Sequence, residues 1–168
     1  LIMFTVALGE ILAIFWISLC FGIWWHAQFF FQFTPTQACR SLYNLNPFPD
    51  SLKISRFLQL NTAPQETIAV IGSEPQIYFY AQRKAATGYL YTYGLMEPQP
   101  YASQMQQEMI AEIEKARPQY LVFINIPYSW LVRADSDQTI LTWAAEYTKK
   151  HYQVVGVADI ISPTETIY

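Results

Sequence analysis

Residues 67–76 read TIAVIGSEPQ, and this stretch decides the fold class. Its first five residues form a continuous apolar run, which is typical of a strand buried on both faces of a sheet. Gly72 then predicts a turn. Ser73, followed three residues later by Gln76, predicts a capping box at the start of a helix that extends to about Gln82. A buried strand that turns directly into a helix indicates an α/β domain with a largely parallel sheet.

The same alternation continues on both sides of this stretch. Apolar periodicity predicts further helices over residues 51–60, with Asp50 as the cap, and over 101–116 and 137–150. Short apolar runs predict strands over residues 88–93, 120–124 and 152–157. Residues 164–168 are a candidate for a fifth strand. Alternating elements imply right-handed crossovers, so we expect a three-layer, Rossmann-like sandwich with a mostly parallel sheet.

A long apolar segment precedes this domain. Residues 1–25 hold one charged side chain, Glu10, and as a helix they would extend about 37 Å, enough to cross the ~30 Å hydrocarbon core of a bilayer. Trp24, Trp25 and the run Phe29–Phe31 follow, as in an aromatic belt at a membrane boundary. We therefore predict one transmembrane helix.

Two other interpretations of the apolar segment fit less well. A signal peptide would need a basic first region and a small-residue cleavage site, and a buried helix of a soluble protein would need apolar partners all round. The depth of Glu10 stays open, since a span over residues 11–31 places it at the boundary and a span over residues 1–25 places it near mid-membrane.

The sequence divides into three parts. We predict a transmembrane helix with an interfacial aromatic segment over 1–33, a proline-containing linker over 34–49 and an α/β domain over 50–168. Because the first residue is Leu, we expect a fragment or processed form with more chain upstream. Arg40 is the first basic residue, so the charges do not determine orientation across the membrane.

Composition excludes several classes of function. An apolar fraction of 52% excludes a disordered chain, and a net charge of −3 argues against nucleic-acid binding. The two cysteines exclude a disulfide-dense miniprotein and a four-cysteine zinc site, and His26 and His151 are far apart. We predict no metal and no cofactor.

The loop after residue 71 is the first candidate site, because ligands bind such folds where a strand ends and a helix begins. Ser73 and Glu74 are candidate ligand contacts there, and Arg83 and Lys84, after the helix, are candidate contacts to lipid phosphate. Simpler interpretations are a well-capped turn and a basic helix C-terminus. One glycine does not make a dinucleotide fingerprint, and Glu74 would repel a phosphate.

Asp135-Ser136-Asp137 matches the Asp-x-Asp pattern with which many sugar-nucleotide glycosyltransferases hold a divalent metal. The pattern directly precedes a predicted helix, where aspartates cap the first turn and favour the helix dipole. We therefore expect capping and predict no catalytic residue in this chain.

Residues 46–51 (NPFPDS), 68–83 (IAVIGSEPQIYFYAQR) and 152–160 (YQVVGVADI) carry a family resemblance. They resemble the C-terminal domain of bacterial polytopic membrane glycosyltransferases related to protein O-mannosyltransferases and aminoarabinose transferases. The resemblance implies a last transmembrane helix that leads into an extracytoplasmic α/β domain at the inner (plasma) membrane. It also implies a polyprenyl-phosphate sugar donor, and the bilayer and the upstream transmembrane part of the same protein as partners. The family's catalytic acidic residues lie in an early loop outside this chain, so none is carried over.

Three hypotheses for function follow. The first is the non-catalytic C-terminal domain of such a glycosyltransferase, which acts on an extracytoplasmic acceptor. The second is a single-span, membrane-anchored binding or interaction domain with no enzymatic activity. The third is an α/β enzyme that uses Asp135 and Asp137.

Overall fold

The computed structural model describes the backbone of residues 2–168 and the side chains of residues 9–168. The helices are α1 (Ile2–Trp25), α2 (Ala27–Phe31), α3 (Pro35–Tyr43), α4 (Phe48–Asn61), α5 (Gln76–Ala81), α6 (Tyr93–Met96), α7 (Ala102–Ala116) and α8 (Thr139–His151). A 3-10 turn spans Pro127–Ser129. The strands are β1 (Thr67–Ile71), β2 (Lys84–Ala85), β3 (Leu121–Phe123), β4 (Asp159–Ser162) and β5 (Glu165–Ile167).

The strands form a parallel sheet and a separate hairpin. The sheet has three strands in the order β2-β1-β3, and Ala69 lies opposite Leu121 in the β1–β3 pair. The β4 and β5 strands form an antiparallel hairpin. The predicted α/β class with a parallel sheet is confirmed, because β1 is central and both of its neighbours follow helices in the chain.

Alternate residues of β1 belong to two separate apolar cores. Ala69 and Ile71 pack in one core with residues of α7 and α8, namely Met109, Ile113, Ile140 and Ala144. Ile68 and Val70 pack in the other with residues of α4 and α5, namely Leu58, Ile77, Tyr78 and Ala81. Successive side chains of a strand point to opposite faces, so the continuous apolar run of β1 is explained by burial on both.

Two predicted strands are wrong. Residues 88–92 are irregular and Tyr93 begins α6, and the second strand is instead β2, only two residues long. Residues 152–157 are also irregular, and Val154 is 84% exposed. These residues are apolar as predicted, but their backbone does not pair with any strand of the sheet.

The predicted linker over 34–49 contains helix α3. Thr34 caps it, because the Thr34 hydroxyl accepts from the Gln37 backbone and the Gln37 side chain accepts from the Thr34 backbone, with Pro35 in the first turn. Two predicted caps are wrong. Asp50 lies inside α4 rather than before it, and Pro75 rather than Ser73 precedes α5.

Residues 9–25 of α1, whose side chains the structure describes, contribute nothing to either core. Every residue from Gly9 to Trp25 is exposed except Gly22, which is half-buried. Residues 1–8 of the predicted transmembrane segment lie outside the described side chains. Within the described residues, no helix combines the length and hydropathy that crossing a membrane requires.

Candidate functional site

The candidate site lies at the carboxyl end of β1 and begins with Gly72. This residue has φ of 147°, a conformation that side-chain-bearing residues rarely adopt. A Cβ atom there would also lie 2.6 Å from Cγ1 of Ile124. Only glycine therefore lets the chain leave β1 so close to the segment that follows β3.

A network of buried hydroxyl groups joins three loops at this point. The Ser73 backbone N–H donates to Oγ of Ser129 at 2.7 Å, and the Ser73 hydroxyl lies 2.9 Å from the Thr92 hydroxyl. Thr92 Oγ1 in turn donates to the backbone carbonyl of Ser129 at 3.0 Å. The network connects the ends of β1 and β3 with the segment before α6, and it fixes the backbone around the candidate site.

Glu74 is the ionisable group of this site. It is 2% exposed, and burial raises the pKa of its carboxyl group, while hydrogen bonds from Gln76 and Ser129 act in the opposite direction. The Gln76 amide nitrogen also donates to the hydroxyl of Ser51 at 3.1 Å, so the carboxyl group is linked to α4. Because burial disfavours the charged form, the Glu74 carboxyl group holds its proton to a higher pH than an exposed glutamate does.

The other two predicted contacts lie at the opposite end of β1. Lys84 is exposed in β2 and pairs with Thr67, the first residue of β1. Arg83 donates to the Thr62 carbonyl at 2.6 Å and the Gln59 carbonyl at 2.9 Å, so it closes the C-terminal end of α4. Ser73 and Glu74, which are adjacent in the chain, thus lie at the carboxyl end of β1, and Arg83 and Lys84 lie at its amino end.

The Asp-x-Asp pattern forms a helix-start turn. Asp137 Oδ1 accepts from the backbone N–H of Thr139 at 2.9 Å and from its hydroxyl at 2.6 Å, and these bonds lower the pKa of Asp137. This supports the capping interpretation, although the turn lies one residue before the assigned cap, Gln138. Among residues 9–168, no group of three or more His, Cys, Asp or Glu side chains could hold a metal.

A buried ion pair joins Arg40 and Asp50, and no motif in the sequence indicates it. The Arg40 guanidinium also donates to the Asn46 carbonyl at 2.7 Å and to Thr166 Oγ1 at 3.2 Å, and Tyr168 Oη donates to Asp50 Oδ1 at 2.8 Å. The cluster fastens the β4–β5 hairpin to α3 and α4. Arg40 and Asp50 lie ten residues apart and in different helices, so no local spacing indicates the pair.

Comparison with known proteins gives no relative: no family model matches the chain, and no curated protein or solved structure does.

Proposed function

We propose that this chain is the C-terminal, non-catalytic domain of an integral-membrane glycosyltransferase that transfers a sugar from a polyprenyl-phosphate donor to an extracytoplasmic acceptor. The resemblance carried by residues 46–51, 68–83 and 152–160 supports the glycosyltransferase assignment, and the observation that supports a membrane location is the surface of α1. Its described apolar side chains point outward on all sides, and Ile17 and Trp24 are each 69% exposed. A helix that is apolar all round must be covered by lipid or by other apolar helices.

The residues that follow α1 support a membrane boundary at its C-terminal end. Trp24 and Trp25 are exposed, and the exposed rings of Phe30 and Phe31 follow in α2. Amphipathic and aromatic rings concentrate at the headgroup level of a bilayer. Although the described part of α1 does not reach the length and hydropathy of a membrane span, we propose that α1 lies in the inner (plasma) membrane beside upstream helices of the same protein, with residues 34–168 on the extracytoplasmic side.

The domain is proposed to be a three-layer, Rossmann-like sandwich. Its support is the division of β1 between two cores, with α7 and α8 covering one face of the sheet and α4 and α5 the other. In such a domain the central strand ends where loops meet, which is where Gly72 lies.

The non-catalytic role is supported by how the candidate residues are bonded. The hydroxyls of Ser73 and Thr92 bond to each other, the Glu74 carboxyl group to Gln76, and the Asp137 carboxyl group to Thr139. In the described part of the chain, every buried side-chain nitrogen and oxygen has a partner of this kind. These groups hold loops in place, so we assign the domain to shaping the acceptor side.

The test is sugar transfer from a labelled polyprenyl-phosphate sugar, measured in membrane vesicles that hold the complete protein to which this chain belongs. Glu74→Gln and Asp137→Ala should both retain transfer. Loss of transfer in Asp137→Ala with an unchanged melting temperature would instead support the enzyme that uses Asp135 and Asp137. A reading frame without further hydrophobic spans upstream would overturn the glycosyltransferase and leave a membrane-anchored binding domain.

A further inference from the structure

The outer edge of β3 is open. On its inner edge, Ala69 N–H donates to the Tyr120 carbonyl at 3.1 Å, and Ile124 N–H donates to the Ile71 carbonyl at 3.0 Å. Alternate residues of a parallel strand bond to opposite neighbours, so the backbone groups of Leu121 and Phe123 face away from β1. Within the described residues, the sheet has no strand beyond β3.

A cleft of about 2230 Å³ runs along this open edge, and residues 153–157 line its other side. Their sequence is QVVGV, and Val154, Val155 and Val157 are 84%, 64% and 64% exposed. Three β-branched side chains in an irregular, exposed segment are unusual, because such residues favour a strand and burial. The cleft therefore separates an unpaired strand edge from a segment with the composition of a strand.

Both ends of this segment are anchored. At one end, Tyr152 Oη donates to the Pro118 carbonyl at 2.8 Å, just before β3 begins, and the Tyr152 ring packs 5.9 Å from that of Tyr147. At the other end, the β4–β5 hairpin is held through Tyr168 and Asp50. The segment thus starts near Pro118, which precedes β3, and a right-handed connection through α8 would bring it to β3 in the parallel sense.

We propose that residues 153–157 are a strap that closes onto β3 as a fourth parallel strand. Closure pairs the outward backbone groups of Leu121 and Phe123 with those of the strap and removes the valine side chains from water. It also covers an edge that would otherwise pair with other chains. The open cleft and the closed sheet are two states of one domain, and the anchored ends limit the movement to the strap.

The test is amide hydrogen exchange of the full chain in detergent micelles, read residue by residue. A strap that closes slows exchange at Leu121 and Phe123 to within roughly tenfold of Val122 and Ile124, whose amides are on the β1 side. The double variant Val154→Gly/Val155→Gly should speed exchange at Leu121 and Phe123 by roughly tenfold or more and leave Val122 and Ile124 unchanged. Val132→Gly, at an exposed valine outside the cleft, is the matched control and should change neither pair.

Three results would overturn the proposal. Free exchange at Leu121 and Phe123 in the unaltered chain, with Val122 and Ile124 protected, would show that the edge stays open. Protection that survives the double glycine variant would assign the edge to another occupant. Protection that rises with protein concentration would assign it to a second copy of the chain. Unchanged protection at Val122 and Ile124 shows that the variant remains folded, so a failure to fold is distinguished from an open strap.

Discussion

The phenol oxygen of Tyr78 lies 2.7 Å from the backbone nitrogen of Val70 and accepts its hydrogen bond. The contact lies just beyond the end of β2, which has only two residues. Directly after β2, the Ala86 N–H donates to the Ile68 carbonyl of β1 at 2.9 Å. Val70 is the next residue of β1 that faces β2, and a side chain from α5 replaces the missing strand. Burial raises the pKa of Tyr78 to about 12, so the hydroxyl stays neutral at physiological pH.

Tyr78→Phe should therefore destabilise the domain by about 1–3 kcal/mol, since it leaves the buried Val70 N–H without an acceptor. Urea unfolding followed by circular dichroism measures the change. Tyr80→Phe is the matched control, because Tyr80 lies in the same helix but is 45% exposed, and it should change the free energy of unfolding by less than about 0.5 kcal/mol. Equal losses in the two variants would contradict the role of the Tyr78 hydroxyl.

Glu74→Gln should alter how stability depends on pH. Burial raises the pKa of Glu74 in the folded state above its ordinary value of 4.5, so between those two values the folded chain binds more protons than the unfolded chain. The contribution of Glu74 to stability is therefore full below about pH 4.5 and falls as pH rises through the folded-state pKa. The glutamine side chain does not ionise, so the variant does not lose this stability. Its free energy of unfolding should therefore increase relative to that of the wild type as pH rises.

Unfolding free energies of wild type and Glu74→Gln, measured from pH 4 to pH 8, check this dependence. Glu146→Gln, on an exposed position of α8, is the control for the removal of one carboxyl group from the chain. A Glu74→Gln difference that stays flat, or that grows in the opposite direction, would show that Glu74 is already ionised in the folded state at low pH.

Asp50→Asn should cost about 3–5 kcal/mol, because it leaves the buried Arg40 guanidinium without its charged partner. The exposed pair of Arg133 and Glu97, 3.9 Å apart, offers a matched control. Glu97→Gln should change stability by less than about 1 kcal/mol, since an exposed pair is screened by solvent. Proteolysis near Thr166 should also become faster in Asp50→Asn alone, and a hairpin that stays resistant would show that other contacts hold it.

The sequence predicts the parts of this fold that depend on local patterns. The apolar run of β1 and the amphipathic pattern of α7 both appear within a residue or two of their predicted bounds, because strand and helix periodicities leave a direct trace in apolar spacing. The Asp137 turn is likewise local. Their sequence signals lie in neighbouring residues, although β1 also needs its partners β2 and β3 to form.

The errors arise where distant residues decide the structure. Ser73 matches a capping box, yet its hydroxyl bonds to Thr92, nineteen residues away. Residues 88–93 have strand composition, but Tyr78 already occupies the bonding position next to Val70. Asp50 looks like a cap, but the buried Arg40 takes its carboxylate. Residue spacing carries no information on such partners, and Ser129, which closes the candidate site, gives no sequence signal at all.

Asp137→Ala should destabilise the domain by about 0.5–2 kcal/mol through the lost bonds to Thr139 at the start of α8. Because those bonds lower the pKa of Asp137, their contribution is present above its ordinary value of 3.8 and is lost as pH falls through the lowered pKa. The difference from wild type should thus shrink in strong acid. Asp135→Ala is the neighbouring control, and calorimetric titration with Mg²⁺ or Mn²⁺ should detect no site that either substitution removes.

The last prediction concerns the boundary between α1 and the rest of the chain. A chain that begins at Gln32 keeps the Thr34 cap of α3 and the Arg40–Asp50 pair, and it keeps both apolar cores, to which residues 9–25 of α1 contribute no side chain. It should therefore unfold cooperatively and sediment as a monomer or weak associate without detergent. The full chain should need detergent, because the exposed apolar side chains of α1 would otherwise associate.

A chain that starts instead at Gln37 should have a lower melting temperature, since it lacks the cap and first turn of α3. A well-behaved full chain in plain buffer, together with a molten shorter chain, would place α1 in the core and remove the support for the membrane proposal.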